Sequence, residues 1–196
     1  RTFGPIMAVW FESLSLSGLA SLWSMPGVIK AINPYYAIEF FRHNGFAAFF
    51  VLSEVILCAT GGEALFADMG HLGRRPIVQA WCFVFVALVI NYLGQGSFAY
   101  RHPEVKNILF GMVQNQVPFL YIPFLVLAIV ATVIASQAII SGIFSVVYQG
   151  ITTRLMPLLK ISYTSRKLQS QIYIGAVNWA LMCSVIFSII LFQKSG

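Results

Sequence analysis

Several stretches of this chain stay apolar over lengths that approach or exceed the roughly twenty residues needed to cross a bilayer. In hydrocarbon every backbone N–H and C=O needs a partner within the protein, so only α-helices and closed barrels can span. A transmembrane barrel would show ten-residue segments of dyad alternation with a polar lumen face, and that pattern is absent. The chain is 59% hydrophobic and 9% charged, against about 25% charged residues in soluble domains. The expected fold class is therefore all-α, built of polytopic transmembrane helices.

Five spans are expected within one transmembrane domain, at about 3–23, 45–72, 77–98, 119–149 and 172–192. The first opens on Gly4-Pro5 and carries Glu12. In the polar connector that follows, Asn33-Pro34 marks a turn, and Tyr35–Phe41 reads as a short interfacial helix. The second span is broken near 60–62, at Thr60-Gly61-Gly62. Arg74-Arg75-Pro76 opens the third with proline at a favoured first-turn position. The fourth, at 1.5 Å per residue, reaches about 45 Å, so a tilt or a protruding end is expected.

The net charge of +6 could suggest nucleic acid, but the basic residues form no stripe with interleaved aromatics. They cluster in short loops, which is orientation chemistry. Arg1, Arg74, Arg75, Arg154, Lys160, Arg166 and Lys167 fall on one side, and Lys30, Arg42, Arg101, Lys106 and Lys194 on the other. Glu39 and Glu104 dilute the second set, so the first side is expected to be cytoplasmic. Cys58, Cys82 and Cys183 each lie in an apolar run without metal-ligand spacing and read as small buried side chains. A start at Arg1 without methionine, and a last apolar run that stops almost at the terminus, suggest a piece of a longer protein.

The candidate chemistry lies in the second span. Glu63 stands behind Thr60-Gly61-Gly62 inside the run Phe46–Phe66. A carboxylate at membrane depth costs roughly 2.5–3.5 kcal/mol, so it needs a buried partner or a purpose. The glycines weaken the helix at the same spot and would free backbone carbonyls as ligands. Thr60 and Glu63, three positions apart on helical geometry, face one side. Hydroxyl, carboxylate and carbonyl oxygens suit alkali cations and hard divalent ions. Glu63 can also take up and release a proton, so coupling of cation and proton needs only one residue. The bland alternative is a glutamate hydrogen-bonded in a helix bundle, with glycines present for close packing.

Other polar residues are weighed the same way. Glu12 and Glu54 are expected to pair with cations on other spans. Asp68, His71, Arg74 and Arg75 read as a membrane-edge loop, or as an inner gate closed by Asp68–Arg pairing. The fourth span carries Thr132, Ser136, Gln137, Ser141 and Ser145 together with small residues four apart, which favours close helix packing. Ser136, Gln137 or Ser141 could instead line a cation pathway. Asn91, Gln95 and Asn178 read as interhelical hydrogen-bonding amides.

The run Thr60-Gly61-Gly62-Glu63-Ala64-Leu65-Phe66-Ala67-Asp68-Met69-Gly70-His71-Leu72-Gly73-Arg74-Arg75-Pro76-Ile77 resembles the potassium-uptake permeases of the Kup (HAK/KUP/KT) family. So do Phe3-Gly4-Pro5-Ile6-Met7 with Asn33-Pro34-Tyr35-Tyr36-Ala37, the segment Asn91–Gly96, and the segment Ala131–Gly142. Gln171–Trp179 is also similar, with Gly175 where the family pattern has proline. The resemblance covers nearly the whole chain. It implies part of a LeuT-like inverted-repeat transporter core, with these spans as its fifth to ninth helices and Gly45–Leu72 as the broken sixth. It places potassium binding on Thr60 and Glu63, and proton coupling on Glu63. The family's first and third helices, with the site aspartate, and its C-terminal cytoplasmic region lie outside this sequence. The chain would then hold about half of the ion site and be inactive alone. Glu54 departs from the usual apolar or small residue at its position.

Residue chemistry alone points to a cation-coupled secondary transporter, and potassium comes from the resemblance. The expected partners are potassium, protons, the lipid bilayer of the plasma membrane and the missing remainder of the transporter, with a homodimer as a candidate assembly. No cofactor, metal beyond potassium, or nucleic acid is expected. An amino-acid or other solute carrier of the same superfold is the alternative, although Glu63 would repel a substrate carboxylate. A non-transporting membrane scaffold is the other. An enzyme is not expected, because the spans hold no Ser/His/Asp or His-rich set.

Overall fold

The computed structural model describes residues 3–58, 74–163 and 172–191. Six α-helices carry most of these residues: α1 (Phe3–Ser24), α2 (Pro34–Cys58), α3 (Arg74–Arg101), α4 (Ile108–Gln116), α5 (Tyr121–Thr152) and α6 (Gly175–Leu191). Among the described residues, three stretches are long and apolar enough to cross a membrane: Phe3–Ser24, Arg75–Arg101 and Pro118–Thr152. Gly175–Leu191 is a shorter apolar helix.

Prolines set several of the helix boundaries. Met25 precedes Pro26, and steric conflict with a following proline ring ends α1 there. A 3-10 turn, Pro26–Ile32, leads to Asn33, whose Oδ1 accepts a hydrogen bond from the Tyr35 backbone N–H at 3.0 Å. Asn33-Pro34 thus starts a helix, with proline at the position where its missing N–H costs nothing. The helix breaks at Gly45 (φ 49°, ψ −125°), a backbone conformation that disfavours any side chain. The interfacial helix and the second span expected from the sequence are therefore two arms meeting at Gly45. Val117 before Pro118 ends α4 in the same way, and the turn Pro118–Leu120 hands over to α5.

Three features differ from the sequence expectation. The helix α4 is an additional element between the third and fourth spans. The third span is longer at both ends than 77–98, because the turns carrying Arg74 and Arg101 remain helical. The fold is also not wholly helical. Ile161–Tyr163 and Ile172–Ile174 form an antiparallel strand pair, β1 and β2, with Ile161 opposite Ile174 and Tyr163 opposite Ile172. Residues 172–174, expected as the first turn of a span, are β-branched or aromatic and suit a pleated, half-buried surface. The helix starts only at Gly175.

The helices form two compact groups. One contains α1 to α4 with the front part of α5. Its core joins Leu14, Val113 and Phe124, with Trp10, Phe11, Leu109 and Phe110 packed around them. The other contains α5 from Ser136 onward, the strand pair and α6. There Phe144, Ile151 and Ile174 are buried together, covered by Val147, Leu159, Ile161, Ile172 and Val177.

Candidate functional site

Thr60, Glu63 and Asp68 lie outside the described residues, as does His71; α2 runs to Cys58 and α3 begins at Arg74 on either side. Ser136, Gln137 and Ser141 lie on α5, and all three are exposed. Gln137 and Ser141, four apart, share a helix face. The Ser141 carbonyl accepts the Ser145 hydroxyl at 3.1 Å, and Thr132 Oγ1 donates to the Ala128 carbonyl at 2.8 Å. Such back-bonding satisfies a hydroxyl inside an apolar helix without a second helix. Four α1 serines (Ser13, Ser15, Ser17 and Ser24) do the same, at 2.7–3.4 Å. Glu12 is exposed on α1 and makes no ion pair among the described residues. Of the expected site, the described part thus holds the pathway candidates on α5 and not Thr60, Glu63 or Asp68.

What the described residues do bring together is the crossing of α1 and α3. A Cβ on Gly18 would lie 2.6 Å from the Asn91 Cα and 2.8 Å from the Ile90 carbonyl oxygen. A Cβ on Gly94 would run into the Gly18 backbone itself. The two backbones meet directly, as small residues allow in membrane helices. Toward the ends of the helices the crossing is tied by polar groups. Ser97 Oγ donates to the Ser21 carbonyl at 3.0 Å, and Arg101 Nη2 donates to Ser21 Oγ at 3.1 Å. Arg101 Nε also donates to the Ser97 carbonyl at 3.2 Å. Gln116 Nε2 reaches from α4 to the Ser17 carbonyl at 3.0 Å.

Sequence reasoning missed this tie because lone Ser and Arg residues near helix ends look like solvated edges. It assigned interhelical hydrogen bonding to Asn91 instead. Asn91 is 3% exposed, and its Oδ1 has no hydrogen-bond partner among the described residues. A groove of about 540 Å³ lies beside the crossing, between α1, α4 and the start of α5. Leu16, Val113, Phe124 and Leu127 make its walls mostly apolar, with Ser13 and Gln116 on its lining. Among the described residues no group of His, Cys, Asp or Glu could hold a metal ion.

Apolar helices of this length, packed through glycine and tied by isolated polar groups, define a multi-pass helical membrane protein. The family follows from comparison with known proteins. Residues 1–196 match the family model described as the K+ potassium transporter integral membrane domain, and the chain belongs to that family. It is 68% identical over 193 residues to "Probable potassium transport system protein Kup 1" of Geobacter metallireducens, covering 98% of this chain and 32% of that protein. It is 67% identical over 196 residues to "Probable potassium transport system protein Kup" of Pelobacter propionicus, covering 100% of this chain and 32% of the relative. The Kup protein of Methanosarcina acetivorans is 68% identical over 193 residues. The chain thus spans about a third of the length of these curated relatives. No solved structure matches it. With its membrane-length helices, the chain is a multi-pass protein of the plasma membrane.

Proposed function

We propose that this chain is part of a potassium-uptake transporter that works by secondary active transport, with proton symport and alternating access. The observation that carries this reading is the match of the entire chain to a potassium transporter membrane domain, beside relatives named for potassium transport. Thr60 and Glu63 bind the ion in this reading, through hydroxyl and carboxylate oxygens and the carbonyls that Gly61-Gly62 would free. Glu63 also carries the coupled proton. A LeuT-like inverted-repeat core frames the site, and Asp68 with Arg74 or Arg75 closes an inner gate. Ser136, Gln137 and Ser141 line the pathway; their support is a polar strip on an otherwise apolar helix. A solute carrier for carboxylates is disfavoured, because Glu63 would repel the substrate and the relatives' names point to potassium.

The test uses the full-length protein that carries this chain, expressed in cells lacking potassium uptake. Rubidium influx and growth at low external potassium are measured with and without Glu63→Gln. Glutamine keeps the shape and one oxygen but loses the charge and the titrating proton. Influx should fall roughly tenfold or more, the equivalent of about 1.4 kcal/mol in the balance of states. Unchanged influx would remove Glu63 from the mechanism. Wild-type growth no better than empty vector, at normal expression, would argue against potassium.

A further inference from the structure

The segment between α5 and α6 has two faces. At its start α5 ends in a Schellman arrangement: the Arg154 N–H reaches the Ile151 carbonyl at 3.1 Å, and the Leu155 N–H reaches the Gly150 carbonyl at 2.9 Å. The chain then turns back on itself. Met156 packs onto Gly150, and Leu159 and Ile161 join the core around Ile151 and Ile174. Leu155 and Leu158 point the other way, 84% and 91% exposed. Arg154 and Lys160, which bracket them, are exposed as well. Neither cation has an acidic partner among the described residues, and no Asp or Glu follows Glu104 in the sequence.

This face packs beside the start of an apolar helix. Ile151, near the end of α5, shares a core with Ile174, the residue before α6 begins. The loop therefore lies level with the start of an apolar helix. The register of Ile161 opposite Ile174 sets Lys160 beside that start. Tyr173 and Trp179, both exposed, flank it as interface aromatics do. Exposed leucines between exposed cations at that level match the two layers of a membrane surface: acyl chains for the leucines, phosphate headgroups for the cations.

We infer that Arg154, Leu155, Leu158 and Lys160 form a docking face for anionic phospholipid. The loop carries the net positive charge of a cytoplasmic loop, and the cytoplasmic leaflet is where anionic lipids supply a negative surface. Each cation near such a surface is worth about a fivefold preference for the anionic lipid.

The test places a reporter on the face. Leu158→Trp is introduced into the full-length protein, which is reconstituted in nanodiscs of phosphatidylcholine containing brominated phosphatidylglycerol or brominated phosphatidylcholine at equal mole fraction. The added tryptophan's emission, taken as the difference from the parent, should be quenched at least twofold more by the brominated anionic lipid. Adding Arg154→Gln and Lys160→Gln should remove that preference while quenching by brominated phosphatidylcholine persists. Equal quenching by both lipids before the cations are removed, or a preference that survives their removal, overturns the inference. So does quenching by neither, which means another part of the protein covers the face. None of these outcomes depends on potassium transport.

Discussion

Substituting Gly94 by alanine probes the α1–α3 crossing most directly. Its new methyl group would occupy the position of the Gly18 backbone, and a backbone cannot rotate out of the way as a side chain can. Reaching ordinary van der Waals distance requires the helices to separate by about 1 Å or more, in a packing whose interior tolerates little volume change. Overpacking of that kind costs roughly 1–3 kcal/mol. The same displacement stretches the Ser97–Ser21 and Arg101–Ser21 hydrogen bonds, now 3.0 and 3.1 Å, past useful length. Interhelical hydrogen bonds in membrane proteins average about 0.6 kcal/mol each, so the whole effect is roughly 2–4 kcal/mol. Gly4→Ala is the control, since nothing lies within 4 Å of a Cβ there. The assay is denaturant titration of the purified protein in mixed micelles, following helix content. The double variant Gly18→Ala/Gly94→Ala should lose less than the sum of its parts, because the first methyl already opens the crossing. If Gly94→Ala unfolds at the same denaturant fraction as Gly4→Ala, the direct backbone contact is wrong.

Two further outcomes concern single residues. Arg154 occupies the glycine position of the α5 cap at φ 60°, where a side chain costs about 1 kcal/mol or more, so Arg154→Gly should stabilise the protein in neutral detergent by about 1 kcal/mol, read as a raised unfolding midpoint. Arg101→Met and Ser21→Ala should each destabilise, with a coupling energy of about 0.5–1 kcal/mol in a double-mutant cycle; strict additivity would dissolve the tie.

Much of this architecture was readable from residue order. The second span was expected from position 45, where Gly45 adopts its positive φ, and the turn expected at Asn33-Pro34 is where α2 begins. Thr60 and Glu63 were picked out as a site by chemistry alone, from an acid beside two glycines in an apolar run. That reading lies outside the described residues and rests on the proposal. The strand Ile172–Ile174 was not legible, because an apolar β-branched run fits a helix or a strand equally well until a partner is present. The short helix α4 was missed because Gln114, Asn115 and Gln116 make its end read as loop.

The sequence by itself determined that the chain lies in a membrane as helices. That follows because hydrogen bonding within a helix is local, and hydrophobicity can be summed along one segment without knowing its neighbours. Only the tertiary structure decided which glycines are contacts, which serine meets Arg101, and which leucines around Lys160 face outward. These are properties of pairs distant in sequence: Ser21 and Arg101 are eighty residues apart, and their meeting depends on how two whole helices cross.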